Sequence, residues 1–411
     1  MSESCEKISD FDIVISGGGL IGATLALVLA EAIPLCTIAI VEPVPLKSDA
    51  QPSFDSRCLA IAQSSKQLLA NYGLWSDLKQ YAQPIEHIHV SDRGHIGKTY
   101  LHADEFNFSA LGYVLEVQDI GNVLADRLNK TANVHWFSPH KIAALETLEQ
   151  HQVITLDNDQ VIHAKLLLGA DGGNSSTRQL LNIDCRNDDY QQMAVIANVG
   201  LKDSHQNWAY ERFTEFGPIA LLPMKPSPSN NARYSLVWCH NSDNAKQLMA
   251  ATAEQFIDKL QQAFGYRAGQ FVEVSKPVCY PLTLSLAEDM VSHRAALVGN
   301  SSHTIHPIAG QGFNLGLRDI EALRSILSKS DISDLGTFGQ MHTYLHSRSK
   351  DLSQVVNMTD ALVRLFSNDS RMMALGRSVG LLTMQMIDDL KFPLGQQAMG
   401  FNGTSNKVIK Q

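Results

Sequence analysis

The stretch FDIVISGGGLIG, residues 11–22, decides the fold. Its first half is a short apolar, β-branched run, and its second half is a glycine turn. A helical pattern follows, with Ala23, Leu27 and Ala30 on one side. Gly17, Gly19 and Gly22 form G-x-G-x-x-G at that strand-to-helix junction, where missing side chains let backbone approach a pyrophosphate at the helix N-terminus. A lone fingerprint of this kind is weak. Here a second apolar run, residues 37–41, ends at Glu42, 20 residues beyond Gly22. That is where a carboxylate accepts hydrogen bonds from an adenosine ribose. The βαβ unit therefore reads as dinucleotide-binding rather than as glycines serving tight packing alone.

Moving outward, residues 166–170 and 295–299 repeat the buried-strand type far along the chain. This predicts a discontinuous cofactor domain over 1–84, 102–182 and 286–340. Short alternating segments within 85–101 and 191–280, such as 194–199 and 234–239, predict antiparallel strands. They assign a second domain to 85–101 and 183–285. A helical pattern through Tyr344, Leu352, Val356, Leu362 and Leu365 marks 341–411 as a helical C-terminal region. The class is α/β, and PSPSNN at 226–231 reads as a turn rather than a linker.

Two further stretches carry chemistry. GADGGNSSTR, residues 169–178, sets an acid and glycines directly after an apolar strand, with Ser175 placed to cap a following helix. Later, Gly299 and Asn300 lead into His303, Pro307, Gly310, Gln311, Gly312, Phe313 and Asn314, with helical residues 315–323 beyond. Glycines at 310 and 312 permit close approach to a flat ligand, and the helix beginning near Asn314 aims its positive dipole end at it.

Together these three patterns resemble the class A flavin-dependent monooxygenases, over nearly the whole chain. The resemblance implies the para-hydroxybenzoate hydroxylase-like fold: a Rossmann-type FAD domain interleaved with an antiparallel-sheet substrate domain. It assigns the first motif, Gly17, Gly19, Gly22 and Glu42, to the ADP part of FAD. It assigns D-G-x-x-S-x-x-R, matched at Asp171, Gly172, Ser175 and Arg178, to FAD and NAD(P)H. The third motif, G-D-x-x-H-x-x-x-P-x-x-G-Q-G-x-N, has Asn300 in place of its aspartate, and an amide can hydrogen-bond a ribityl chain without charge. Pro307, Gly310, Gln311 and Gly312 fall on the catalytic loop by this likeness, and Gly312, Phe313 and Asn314 on the flavin. Arg57 matches the family arginine near the pyrophosphate, with altered spacing. Asn122 is the counterpart of a helix glutamine, with Gln118 as competitor.

Within the family the chain is most similar to the ubiquinone-biosynthesis branch, through residues 89–95, 194–199, 211–214 and 235–239. The implied activity is ring hydroxylation of 2-polyprenyl-6-methoxyphenol by FAD, NADPH or NADH, and O2, through a flavin C4a-hydroperoxide. Rival readings are a hydroxylase of another aromatic substrate and a flavin-binding structural subunit of a biosynthetic complex. The W-x-W-x-I-P signature of flavin halogenases is absent.

Composition agrees with a large buried core: 411 residues, 44% hydrophobic. A net charge of −9 offers no general attraction to nucleic acid. The six cysteines are scattered, without zinc spacing, and His303 and His306 span a loop containing Pro307, so no metal is expected. No signal peptide is read at the N-terminus, and the longest apolar stretch, 20–30, is about half the ~20 residues a membrane-spanning helix needs. A cytoplasmic location follows, at most peripheral to the inner membrane. His87 and His89 read as solvated strand residues. Phe213, Pro223 and Trp238 read as sheet core before they read as a substrate wall. The run with Met372, Met373, Leu381, Leu382, Met384 and Met386 reads as packed core, or as a contact for a membrane surface or a biosynthetic complex.

Overall fold

Backbone proximity explains the opening glycines. The 11–16 run lies within β1 (Ser9–Ser16), the chain turns at Gly17 with φ 99°, and α1 (Leu20–Ala32) follows. A Cβ on Gly22 would sit 1.9 Å from the Gly17 carbonyl oxygen, and one on Gly17 would sit 2.6 Å from that of Ala170. Helix, turn and neighbouring strand approach each other closely enough to exclude a side chain at both positions. The computed structural model describes residues 9–44, 57–94, 97–228, 230–306, 310–366 and 388–401.

β1 pairs in parallel with β2 (Ile38–Val41) on one side and with the strand Val161–Gly169 on the other, and the latter pairs in parallel with Ala295–Leu297. The eight-stranded sheet is thus assembled from distant parts of the chain. Strand alternation decides which layer each residue joins. Ile13, Ile15, Ile38, Ile40, Leu166 and Leu168 pack against α1 and the helix Gln311–Leu327, through Leu25, Leu29, Leu317 and Ile320. Val14, Ala39, Val41 and Leu167 face the opposite way, onto Ile142, Ile154 and Leu156 of an antiparallel meander.

A second sheet of nine strands is built from His87–Asp92, Lys98–His102 and the strands between Cys185 and Ala287, with His303–Thr304 added at its edge. Its pairs are antiparallel except His87–Asp92 with Trp208–Thr214, which run parallel because the chain enters this sheet on two separate passes. One face carries Val195, Tyr210, Leu221, Tyr234, Leu236 and Trp238 against Leu248, Phe256, Leu260 and Phe264 of the helices Ser242–Met249 and Ala253–Phe264. The second of those helices opens on a capping box between Thr252 and Gln255. A three-stranded sheet of β3 (Cys58–Ala62), Gln83–Ile85 and Gly112–Glu116 completes the strands.

The reading of His89 as solvated needs correction. Its ring is buried against Tyr100 and Tyr210, and burial, with the charges of Arg267, Lys98 and Arg212, pushes its pKa down to about 4. Among the described residues no helix is long and apolar enough to cross a membrane. The C-terminal methionine-rich run lies outside them; the helices Phe338–Phe366 and Asp388–Ala398 flank it.

A buried ionic cluster ties the late elements together. Asp319 accepts from Gly299 N–H (2.9 Å), His303 Nε2 (2.8 Å) and Arg348 Nε (2.7 Å), while Arg348 and Arg318 both reach Asp351. Burial alone would raise the Asp319 pKa, but His303 and Arg348 overcome it and hold the group at about 2. Its folded pKa lies below the reference 3.8, so its stabilisation is complete above about pH 4 and is lost as pH falls through 2. Asp319→Ala leaves Arg348 buried without its main partner. The expected cost is about 3–5 kcal/mol, read as a lowered urea midpoint at pH 7, with the gap to wild type closing as pH falls from 4 toward 2.

Candidate active site

A cavity of about 1070 Å3 runs from the glycine turns to the free face of the second sheet. That is at or above the top of the roughly 300–1,000 Å3 typical of ligand sites. Gly17, Gly19 and Leu20 line it beside Glu42. The Glu42 carboxylate is held by Gly18 N–H on Oε2 (2.6 Å) and Val44 N–H on Oε1 (3.0 Å), and each oxygen keeps a lone pair for a further donor. α1 begins at Gly19 with no side-chain cap and no acidic residue in its first turn, so its first N–H groups and positive dipole end stay available to an anion. Gly22 does not line the cavity; it serves through the close packing already described.

The second motif works mainly as a staple. Asp171 Oδ1 accepts from the Ser175 hydroxyl (2.5 Å), and Oδ2 accepts from the Thr177 N–H and hydroxyl and from Ser176. Ser175 caps the helix Ser176–Leu180 through Arg178 N–H. Arg178, itself buried, donates to the carbonyls of Ser301 (2.8 Å) and Gly173 (3.1 Å). The motif thereby joins the loop after Val161–Gly169 to the loop after Ala295–Leu297. Asp171 and Gly172 both line the cavity.

The third motif supplies a second helix N-terminus to the same space. Gly310 begins the helix Gln311–Leu327 in the left-handed region (φ 61°), where a Cβ would meet that of Ala60 at 2.9 Å. Asn314 fastens this start to β3: its Oδ1 accepts from Ala62 N–H (2.9 Å), and its Nδ2 donates to the carbonyls of Ala60 (2.9 Å) and Gly310 (2.8 Å). Over Gly312 the space is open among the described residues, for a Cβ there would meet none of their atoms nearer than Asn300 Oδ1 at 3.9 Å. Gln311, Gly312, Phe313 and Asn314 line the cavity with Asn300, which is exposed. Arg57 lines it too, with its guanidinium 5.7 Å from the centre of the Tyr280 ring. Pro307 lies outside the described residues.

The structure places Asn122 away from these motifs. It is exposed on the helix Val117–Leu128, as is Gln118, and neither lines the cavity. Only the first residue of that helix, Val117, reaches the lining, and Asn122 sits about 7.5 Å further along the axis. His303 meets Asp319, a carboxylate 16 residues away that spacing does not bring to mind. His306 is buried against Gln192. Among the described residues no group of three or more histidine, cysteine or acidic side chains could hold a metal ion.

The sheet face that closes the cavity is mostly apolar: Ile88, Val90, Leu101, Ile196, Ala209, Phe213, Ala220, Leu222 and Val237, with Ser235 and Tyr210 also in the lining. Phe213 is thus on the wall, Trp238 packs on the opposite face, and Pro223 is not part of the lining. One carboxyl interrupts this face, that of Glu211, which the sequence reading did not single out. Burial raises its pKa from 4.5 to about 7.

The profile described as FAD binding domain matches residues 10–359 of the chain. Ubiquinone hydroxylase UbiL of Rhodospirillum rubrum is 36% identical over 401 residues, spanning 97% of this chain and 91% of that protein. The 3-demethoxyubiquinol 3-hydroxylase of Escherichia coli is 30% identical over 393 residues, spanning 95% and 98% respectively. In fold, the crystal structure of p-nitrophenol 4-monooxygenase PnpA from Pseudomonas putida superposes with a TM-score of 0.78 at 16% identity, over 95% of this chain and 99% of that one.

Asn314→Ala strands the buried Ala62 N–H and Ala60 carbonyl at the helix start. The expected loss is about 1–3 kcal/mol of stability, together with weaker retention of flavin, measured by thermal denaturation and by flavin released on dialysis.

Proposed function

Because the chain belongs to the FAD-binding-domain family, among monooxygenases related to ubiquinone hydroxylases, we propose that it hydroxylates the ring of a prenylated phenol, 2-polyprenyl-6-methoxyphenol. NADPH or NADH is the reductant and O2 the oxidant. The observation that carries this reading is the single cavity, which joins two uncapped helix N-termini and their glycine turns to a broad apolar sheet face.

The residues present fit FAD. Gly17, Gly19 and the start of α1 suit a pyrophosphate, Glu42 suits an adenosine ribose, and the open space over Gly312 suits a flat ring. Arg57, Asp171, Gly172, Asn300, Phe313 and Asn314 would complete that binding surface. When bound and reduced, FAD supplies O2 activation and oxygen transfer, chemistry that no protein side chain offers. The protein's part is to bind, orient and keep dry. The Gln311–Leu327 helix start places positive potential beside Gly312 and Phe313, and Gly310, Gln311 and Gly312 are the residues proposed to face the reacting ring. The apolar face excludes water and takes a prenyl chain, with Met358, Leu394 and Ala398 extending the same lining. A substrate with such a chain resides in or at a membrane, so the protein would work in the cytoplasm against the inner membrane, or within a complex that presents the lipid.

NAD(P)H oxidation by FAD-loaded protein should be stimulated by a short-chain 2-prenyl-6-methoxyphenol and yield a product one oxygen atom heavier by mass spectrometry. Stimulation instead by a 3-demethoxyubiquinol analogue would move the substrate to the one named for the Escherichia coli relative. Bound FAD with neither stimulation nor product, in the presence of partner proteins, would favour the non-catalytic subunit.

A further inference from the structure

Sheet pleating places one ionisable side chain on the substrate wall. Along Trp208–Thr214, the side chains of residues 209, 211 and 213 turn to the cavity, while those of Tyr210, which also borders the cavity, and Arg212 reach the helices behind, where they donate to the carbonyls of Arg267 and Phe264. Glu211 stands opposite Val90 on one neighbouring strand and Ala220 on the other, so it is surrounded by Val90, Ala209, Phe213 and Ala220. Its carboxyl makes no hydrogen bond to any described residue: Oε1 is sealed against the sheet, and the part of the side chain left open lines the cavity. An unsatisfied carboxyl inside a fold costs about 1–3 kcal/mol or more, and a leucine or valine there would pack the wall without that cost. A ligand carrying a hydrogen-bond donor would satisfy it.

We propose that Glu211 is the catalytic residue that receives the substrate's phenolic hydroxyl, accepting its hydrogen bond in the bound complex and its proton as the ring is oxygenated. This rests on the reading of a phenol substrate given above. In the step, the phenolic O–H bond breaks, its electron pair stays on the phenolic oxygen, and the proton moves to a Glu211 carboxylate oxygen. The oxygen lone pair then feeds electrons into the ring, whose carbon forms a C–O bond with one atom of activated O2 as the O–O bond breaks and its electron pair leaves with the other oxygen atom. That carbon then loses its own hydrogen as a proton, which goes to the departing second oxygen atom and leaves with it as water; aromaticity returns, the phenolic oxygen recovers a proton from Glu211, and the carboxylate is restored. O2 is the only oxidant required, and NAD(P)H, the reductant, supplies the two electrons that take its second oxygen atom to water.

The electrostatics suit this role. Burial lifts Glu211 to about 7, so near neutral pH a large share is ionised while its basicity is well above that of an ordinary carboxylate. Of the other titratable groups, the Cys239 thiol is near enough for the Glu211 charge, together with burial, to raise it, and Asp92 ends the strand that carries Val90. Arg57, Glu42 and Asp171 line the cavity from the cofactor side, and Arg93, Lys259 and His240 belong to the neighbourhood behind the sheet. Because the folded pKa exceeds the unfolded 4.5, ionisation of Glu211 opposes folding: stability is complete below about pH 4.5 and declines as pH rises through 7. Glu211→Gln, which cannot ionise, should therefore fold and be at least as stable as wild type at pH 8.

The test compares FAD-loaded wild type, Glu211→Gln and Glu211→Asp on a short-chain 2-prenyl-6-methoxyphenol, with its O-methyl ether as a ligand that has no proton to give. Binding is read from the flavin spectrum and turnover from product mass. The expected result is that Glu211→Gln retains FAD and binds the ether like wild type, yet loses about a hundredfold or more in kcat for the phenol. The rise in rate with pH near 7 should also disappear, and Glu211→Asp should recover part of both. If Glu211→Gln stays within about threefold of wild type with the same pH profile, the proposal is overturned and the hydroxylase reading stands. If it loses FAD or ether binding in step with turnover, the residue is structural and the proposal is likewise overturned. If wild type oxygenates no prenylated phenol, the reading beneath it has failed, and the proposal with it.

Discussion

The late half of the site depends on one buried carboxylate. Asp319 sits inside the helix Gln311–Leu327, yet its two oxygens are occupied by the loop that follows Ala295–Leu297 and by the long C-terminal helix, through Gly299, His303 and Arg348. A charge so placed is tolerable only when every donor is present. That requirement sets the height of the Gly299–Asn300 turn relative to the helix start. Asn314 applies the same logic at the other end of the first helical turns, joining them to β3. The start of the helix Gln311–Leu327 is therefore held to β3 and to the Gly299–Asn300 turn by hydrogen bonds within the protein itself.

Local constraints were legible in the sequence. The spacing of Gly17, Gly19 and Gly22 and the position of Glu42 reflect distances within one βαβ unit, and the structure shows close approach at Gly17 and Gly22 and cavity lining at Gly17, Gly19 and Glu42. The glycines of the third motif were legible for the same reason, since a left-handed residue before a helix has few solutions. Asp171 illustrates a subtler outcome. Its motif was recognisable, but much of its hydrogen-bonding capacity is spent on Ser175, Ser176 and Thr177, holding the turn whose backbone faces the cavity.

What escaped the sequence depends on tertiary register. Asn122 was chosen over Gln118 by likeness to a family glutamine, and the structure puts both on a helix whose first residue alone reaches the cavity. His89 looked solvated because the pairing that buries it against Tyr210 joins two separate passes of the chain, in the parallel pair that the alternating pattern does not reveal. Glu211 was read only as part of a family-like stretch. Its isolation appears once the pleat puts it among Val90, Ala209, Phe213 and Ala220, and no period within its own strand announces that.

The short strand His303–Thr304 links these levels. It pairs with Leu286 and Ser285 at the edge of the sheet that walls the cavity, so the loop of the third motif is hydrogen-bonded, main chain to main chain, to the substrate side. Such a ladder is indifferent to the side chains on the sheet face. The wall around Glu211 can therefore be repainted by mutation, residue by residue, while the frame holding the redox group stays in place. Divergence to new aromatic substrates is then a matter of changing one surface of one sheet, and the fold can drift far in sequence without relocating its chemistry.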